Sequence, residues 1–134
     1  MVEEKIISGK RKTAIAKAKI VKGTGEIYFN GKPLALMKRL NQLSISEPIF
    51  IFREILGKVD FDIFVNVRGG GSSAQAEAAR LAIAKAIVAS KGDENLRLAF
   101  LAYDRNLLVA DNRRKEARKP GDSKARARRQ TSYR

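Results

Sequence analysis

The last 22 residues of the chain contain no Val, Ile, Leu, Met or Phe, and this absence limits how the segment can fold. Between Arg113 and Arg134, ten residues are Lys or Arg and two are acidic, which gives a net charge of +8. Such a segment cannot bury enough apolar area to offset the entropy lost on ordering. We therefore predict an extended, solvated basic arm over residues 113–134 and a folded body over residues 1–112.

The excess positive charge is concentrated in this arm. The chain has 28 Lys and Arg against 14 Asp and Glu, so its net charge is +14, of which the arm supplies +8. A polybasic end on a moderately basic body is typical of proteins that bind nucleic acid or an anionic membrane, although a generic anchor or localisation signal has the same composition. Arginine dominates, and its planar guanidinium binds phosphate through two hydrogen bonds. The arm residues predicted to bind RNA are Arg113, Arg114, Lys115, Arg118, Lys119, Lys124, Arg126, Arg128 and Arg129.

The residue types that are absent exclude several classes of function. The chain has no Cys, so neither a disulfide framework nor a thiolate zinc site is possible. It also has no His, which removes the commonest general base and metal ligand. We expect no catalytic residue, metal, cofactor or small-molecule substrate. The N-terminus shows no signal-peptide pattern and the apolar runs are too short to span a membrane, so we expect a cytoplasmic protein without a membrane partner.

The body shows a mixture of strand and helix patterns, which predicts a single domain of the α+β class. Apolar residues alternate from Lys12 to Val21, and Glu26–Phe29 is predicted to return beside this strand as a hairpin. A further central strand is predicted over Val59–Val67 and a short final strand over Leu107–Val109. Helices are predicted from Pro33 through Leu40, from Ser46 to Gly57, from the glycine-rich segment to Ser90, and from Asp93 to Ala102.

The glycine-rich segment at residues 69–74 allows three interpretations. Its sequence, Gly-Gly-Gly-Ser-Ser-Ala, fits the dinucleotide pattern G-x-G-x-x-[G/A], and acids follow about 20 residues later. However, those acids introduce another helix instead of ending a second parallel strand, which argues against a dinucleotide site. The alternatives are a tight turn at a helix start, or backbone amides that face an RNA phosphate. The residues concerned are Gly69, Gly70 and Gly71, with Arg68 as a further phosphate contact.

Two other charged groups have both a functional and a structural interpretation. A compact basic cluster enters the first predicted strand, and it is either an RNA contact or a solvated face; its members are Lys10, Arg11, Lys12 and Thr13. Asp60 and Asp62 are predicted to share one face of a strand. Paired carboxylates can act as acid and base or bind a metal, but no His or third ligand is nearby. We therefore expect these carboxylates to serve solubility or to pair with a lysine.

Several segments spread over the chain together resemble one family, the ninth protein of the small ribosomal subunit in its archaeal or eukaryotic form. They are Gly9-Lys10-Arg11-Lys12-Thr13-Ala14, Asn30-Gly31-Lys32-Pro33-Leu34, Val67-Arg68-Gly69-Gly70-Gly71 with Gln75-Ala76, and the end of the arm from Lys124 to Arg134. The bacterial pattern has Ala-Pro before the glutamine and usually ends in Lys-Arg. Here Arg128-Arg129 precede Gln130 and Tyr133-Arg134 end the chain, which favours the archaeal type.

The resemblance implies both a fold and a role. The fold is that of the second domain of ribosomal protein S-five, a small sheet backed by helices with a left-handed βαβ crossover. The implied role is non-enzymatic, in the head of the small subunit, with ribosomal RNA and neighbouring head proteins as partners. The resemblance also implies that the arm reaches transfer RNA in the peptidyl site, where Tyr133 and Arg134 make the contact. The alternative is a free-standing nucleic-acid-binding or chaperone protein with the same body and arm.

Overall fold

Alternating apolar residues build one mixed β-sheet that helices cover on one side only. The computed structural model describes residues 5–121 and 124–128. The strands are β1 Ile6–Arg11, β2 Ala14–Lys22, β3 Ile27–Phe29, β4 Lys32–Pro33 and β5 Phe61–Arg68. The helices are α1 Arg39–Leu56, α2 Ser72–Lys91 and α3 Glu94–Tyr103, with single 3₁₀ turns at Leu34–Leu36 and Arg105–Leu107. The predicted α+β class is confirmed.

The strands lie in the order β1-β2-β5-β3-β4, so the central strand is β5. β1 is antiparallel to β2, β2 to β5 and β3 to β4, whereas β3 and β5 are parallel. A parallel pair requires a crossover connection, and α1 lies in the segment that joins β3 to β5. The left-handed sense of this crossover stays a prediction from the family resemblance.

The core lies between the sheet and α2, and small residues let the two approach closely. On β2 three residues on the side of α2 are alanines and are fully buried, namely Ala14, Ala16 and Ala18. On β1 the facing residue is Gly9, where a Cβ atom would contact the Ala78 carbonyl oxygen and lie 2.6 Å from the Ala82 backbone nitrogen. Larger side chains from β5 and α2 fill the remaining space, including Ile63, Val65, Ile83 and Ile87. The absence of a side chain at residue 9 thus sets the distance between helix and sheet.

The one strand pairing that the sequence predicts is wrong, since β2 does not form a hairpin with the strand that follows it. β5 lies between β2 and β3, and β2 instead forms its hairpin with β1, which the sequence did not predict. β1 lacks an obvious apolar pattern because Gly9 takes the central position on its buried side. The predicted strand at Leu107–Val109 is also wrong: Leu107 ends a 3₁₀ turn and its side chain is buried in the core.

The helix boundaries are partly as predicted. Gly57 ends α1, Gly92 ends α2 in the left-handed region with φ of 63°, and the Asp93 carboxylate caps α3 by accepting from the Asn95 amide. The helix predicted from Pro33 through Leu40 is wrong, because Leu34–Leu36 forms only a 3₁₀ turn. The helix predicted from Ser46 is present but begins earlier, since α1 is one helix of 18 residues, Arg39–Leu56, that contains Pro48. It continues through the proline because one apolar side stays buried, formed by Ile45, Pro48, Ile49 and Phe52.

Replacing Gly9 tests the close packing of α2 on the sheet. We expect Gly9→Ala to lower the free energy of unfolding by about 1–3 kcal/mol, because the added methyl group overpacks the contact with α2. Urea unfolding followed by circular dichroism gives the change. Ser8→Ala is the matched control: Ser8 is the preceding residue of β1, it is exposed, and its substitution should change stability by less than about 0.5 kcal/mol. Equal midpoints for Gly9→Ala and wild type would contradict the packing argument.

Candidate nucleic-acid interface

Two basic segments that are far apart in the sequence meet at one end of the sheet. A Cβ atom at Gly69 would lie 2.6 Å from the Thr13 carbonyl oxygen, so the glycine-rich segment packs on the turn between β1 and β2. Strand register adds two cations to this end, since Lys10 pairs with Ile15 and Ile15 pairs with Arg68. We call this group the turn cluster, and it comprises Lys10, Lys12, Thr13, Arg68, Gly69, Gly70 and Gly71.

The three glycines of the turn cluster occupy positions that differ in backbone conformation and in the space around them. Gly69 and Gly70 have φ of 77° and 72°, the left-handed region that favours glycine, and both approach the β1–β2 turn closely. The Gln75 side-chain amide donates to the Gly69 carbonyl at 3.1 Å, which holds the turn. Gly71 has open space around it and occupies the N-cap position of α2. A tight turn therefore explains why positions 69 and 70 are glycine. It does not explain the glycine at position 71.

Gly71 places the N-terminus of α2 at the surface beside the basic side chains. No side chain caps this end of α2, and its first turn contains no acidic residue. The first amides of an α-helix have no acceptor within the helix, and the helix dipole favours a negative charge there. Because α3 follows α2 and no strand follows it in the described part of the chain, the second parallel strand of a dinucleotide fold is missing there. The arrangement suits a phosphate group of a polymer better than a dinucleotide.

Arg11 was predicted to bind RNA together with its neighbours, but the structure turns its side chain toward α2. Its guanidinium contacts Glu77 at 2.5 Å and also pairs with Asp111. The side chains of Arg11 and Asp111 are only 16% and 18% exposed. Two carboxylates therefore already neutralise the charge of Arg11 within the protein. Its neighbours Lys10 and Lys12 are exposed.

Asp111 joins the base of the arm to the body. Besides Arg11 it accepts hydrogen bonds from the Arg113 backbone amide at 2.9 Å and from the Arg113 guanidinium at 2.8 and 2.9 Å. These bonds, with the nearby charge of Arg11, hold the pKa of Asp111 well below its ordinary value of 3.8. We call Arg11, Glu77, Asp111 and Arg113 the arm clamp. It lines a cleft of about 360 Å³ between β1, α2 and the start of the arm.

A second arginine has a similar internal role. Arg80 of α2 contacts Glu47 of α1 at 2.5 Å and Asp104, the residue after α3, at 3.0 Å. Its side chain is 17% exposed, so this network joins three helices at the edge of the core. The sequence alone does not single out Arg80. The sequence gives little indication of its role, because an isolated arginine in an alanine-rich helix has many possible partners.

Asp60 and Asp62 do not form a paired carboxylate site. Asp60 precedes β5, while the Asp62 carboxylate accepts the backbone amides of residues 24–26 at 2.8–2.9 Å. These hydrogen bonds lower the pKa of Asp62 below its ordinary value, with the Glu26 amide as the largest cause. Asp62 thus caps the turn between β2 and β3, a role that goes beyond the two predicted ones, solubility or pairing with a lysine. Among the described residues no group of three or more acidic side chains could hold a metal ion.

The arm residues within the described ranges lie mainly at the surface. Arg126 contacts Glu116 at 2.9 Å, and both side chains are exposed, so this pair adds little stability. The other predicted RNA-binding residues that are described here and exposed are Arg114, Lys115, Arg118, Lys119, Lys124 and Arg128. Arg129, Tyr133 and Arg134 lie outside the described residues. In the described part of the chain, no helix is long and apolar enough to cross a bilayer.

The fold and the surface together define a basic α+β domain, with a turn cluster at one end of its sheet and a charged arm. The chain matches the family described as ribosomal protein S9/S16 over residues 9–134, a span that includes the turn cluster and the arm. It is 49% identical over 129 residues to the small ribosomal subunit protein uS9 of Methanococcus vannielii, which covers 94% of this chain and 95% of the relative. The protein of the same name from Methanococcus maripaludis is 46% identical over the same coverage. The chain therefore belongs to the ribosomal protein S9 family, whose members are structural and not enzymes.

The arm clamp predicts a specific response to acid. Because the folded-state pKa of Asp111 is lowered, its stabilising effect is complete above its ordinary pKa of 3.8 and is lost as the pH falls below that value. We expect Asp111→Asn to be less stable than wild type at pH 7, by an amount that stays constant to about pH 4 and shrinks below it. Urea unfolding at a series of pH values measures this difference.

An exposed carboxylate of the arm provides the control. Glu116→Gln removes the partner of Arg126, and we expect no resolved stability change at any pH, since both side chains are exposed. If the stability difference between Asp111→Asn and wild type were the same at pH 2 as at pH 7, the carboxylate charge would not be the stabilising group.

Proposed function

We propose that this protein is a structural constituent of the head of the small ribosomal subunit and works in the cytoplasm as part of the ribosome. The observation that carries the proposal is the family match over residues 9–134, which extends through both the turn cluster and the arm. The names of the relatives from Methanococcus agree with this role. The proposed partners are small-subunit ribosomal RNA, neighbouring head proteins and peptidyl-site transfer RNA.

The body binds ribosomal RNA through the turn cluster. Lys10, Lys12 and Arg68 offer three cations around the uncapped N-terminus of α2. A phosphate placed there receives backbone amides, the positive end of the helix dipole and side-chain charge at the same point. Gly71 leaves open space for the close approach of a ligand. Arg11 supports this surface indirectly, by holding β1 to α2 and to the base of the arm.

The arm extends from the body toward transfer RNA in the peptidyl site. Fully stretched, its 22 residues span about 70 Å, at roughly 3.3 Å per residue. Pro120 and Gly121 interrupt any helix, which favours an extended path along RNA. Arg128 and Arg129 neutralise phosphates near the tip, while Arg134 contacts the anticodon stem-loop and Tyr133 supports it by stacking. The clamp at Asp111 fixes where this path begins.

Charge removal at the turn cluster tests RNA docking by the body. We expect Lys12→Ala and Arg68→Ala each to weaken binding to a ribosomal RNA fragment from the subunit head and to reduce the salt slope of the binding constant by about one. Filter binding at several salt concentrations measures both quantities. Arg97→Ala is the matched control, because Arg97 is exposed on α3 and pairs with Glu94 at 3.2 Å. A wild-type affinity that does not change with salt would contradict RNA docking.

Removing residues 131–134 tests the role of the tip. We expect the truncated protein to keep the unfolding midpoint of wild type and to enter small subunits normally. Its subunits should hold peptidyl-site transfer RNA less tightly, because the terminal cation is lost. Transfer RNA binding to purified subunits measures the effect, and Arg134→Lys, which keeps the charge, is the control. Unfolding of the truncated body would refute the independent arm, and unchanged transfer RNA affinity would refute the role of the tip.

A free-standing nucleic-acid chaperone is the second candidate, favoured by the same body and arm. Cofractionation separates the two candidates. A structural ribosomal protein stays with small subunits through a salt wash, whereas a loosely bound chaperone is removed, since its contacts are mainly electrostatic.

A further inference from the structure

One side of α1 is apolar and faces away from the core. It carries Leu40, Leu43 and Phe50, whose side chains are 79%, 42% and 53% exposed. These residues follow one another at intervals of three and seven, so they lie on one side of the helix and extend over about 15 Å, at 1.5 Å per residue. The opposite side of α1 is the buried one, formed by Ile45, Pro48, Ile49 and Phe52. We call Leu40, Leu43 and Phe50 the apolar stripe.

A further exposed leucine precedes the apolar stripe. Leu36, in the 3₁₀ turn before α1, is 73% exposed. Single exposed apolar side chains are common on protein surfaces, whereas an exposed group of large ones marks a surface that a partner covers. Residues 36–50 contain four such side chains.

The N-terminal end of the apolar stripe is basic. Lys38 and Arg39 directly precede Leu40, and both are exposed. The sequence has no Asp or Glu from residue 27 to residue 46, and the first turn of α1 contains no acidic residue. The two side-chain charges therefore add to the positive end of the helix dipole.

Two acidic residues lie farther along the same side of α1. Glu47 contacts Arg80 of α2 at 2.5 Å, so this charge is paired within the protein. Glu54 is exposed one turn beyond the apolar stripe, next to the exposed Arg53. The stripe is therefore flanked by two cations at its start and by one charge of each sign at its end.

We propose that the apolar stripe docks an acidic amphipathic helix of another protein. The apolar side of that helix covers the three exposed side chains, and its acidic residues lie opposite Lys38 and Arg39. RNA fits this surface less well, because its phosphates can pair with the two cations but do not cover large apolar side chains. A helix is favoured because the stripe is straight and about as narrow as the seam between two packed helices. The proposal rests on the proposed function, in which the partner is a neighbouring protein of the subunit head.

Photo-cross-linking in assembled small subunits tests which molecule covers the apolar stripe. Leu40→p-benzoylphenylalanine is introduced into the full chain, the subunits are purified, and the adduct is mapped by mass spectrometry. We expect an adduct with one protein segment that has apolar residues at helical spacing and acidic residues within a turn of the cross-link. An adduct with RNA alone, an adduct with a segment that lacks acidic residues, or the absence of any adduct would each refute the proposal.

Competition for incorporation into small subunits measures how much the stripe contributes. Wild type and a variant are mixed in equal amounts during assembly from purified components, and their ratio in the subunits is determined. The double variant Leu40→Ala, Leu43→Ala should be incorporated at least about tenfold less than wild type, because two leucine side chains are lost from the contact. Arg39→Glu keeps the apolar residues and should be incorporated at least about threefold less, because it repels the acidic residues of the partner.

Ile6→Ala is the matched control for the leucine variant. Ile6 is 65% exposed on β1, and it lies on the side of the sheet away from the helices, because Gly9, three residues later, faces α2. We expect Ile6→Ala to be incorporated like wild type, and urea unfolding checks that all variants fold. Equal incorporation of the leucine variant and wild type would overturn the proposal, and so would an equal loss in Ile6→Ala.

The same subunits distinguish this proposal from the ribosomal function on which it rests. If the wild-type chain does not stay with small subunits through a salt wash, the ribosomal function itself is wrong. If the chain stays but residue 40 contacts RNA or nothing, the ribosomal function survives and only the docking of a helix is refuted.

Discussion

The close packing of α2 on the small-residue side of β1 and β2 is the contact on which the rest of the structure depends. Gly9 and the alanines of β2 remove side-chain volume where a helix crosses a sheet, so backbone nearly touches backbone. This brings the glycine-rich segment down onto the β1–β2 turn, where Gly69 lies against Thr13. The N-terminus of α2 and the basic residues of β1 are then neighbours. The packing of the core and the position of the charged surface thus both follow from the close contact of α2 with the sheet.

Three arginines of the body, Arg11, Arg68 and Arg80, differ in what surrounds them. Arg11 and Arg80 are mostly buried and contact two carboxylates each, so they join elements of the fold. Breaking such a pair leaves an uncompensated charge that is partly shielded from water, which is costly. Arg68 is exposed beside an uncapped helix end whose first turn contains no acidic residue. Sequence alone could not separate these groups, because Arg11 sits in the same basic run as Lys10 and Lys12.

Local signals in the sequence predicted more of the fold than its long-range pairings. Gly92 and Asp93 mark the boundary between α2 and α3 through the physics of helix caps, which involves only a few neighbouring residues. The partner of β2 depends on where the chain places β5, about 40 residues later, and no local pattern encodes that choice. The same limit hid the neighbours of Lys19: it alternates visibly with alanines, but Phe64 lies beside it only through strand register.

A basic arm without Val, Ile, Leu, Met or Phe cannot fix its own direction, so its direction must be set where it leaves the body. Asp111 does this, because its carboxylate holds Arg11 of β1 and both the backbone and the side chain of Arg113. The first cation of the arm therefore anchors it to the body, which sets Arg113 apart from the later cations. This division explains why an acidic residue lies at the boundary between the body and its most basic segment. A neutral residue at position 111 would leave the arm equally charged but without a defined starting point.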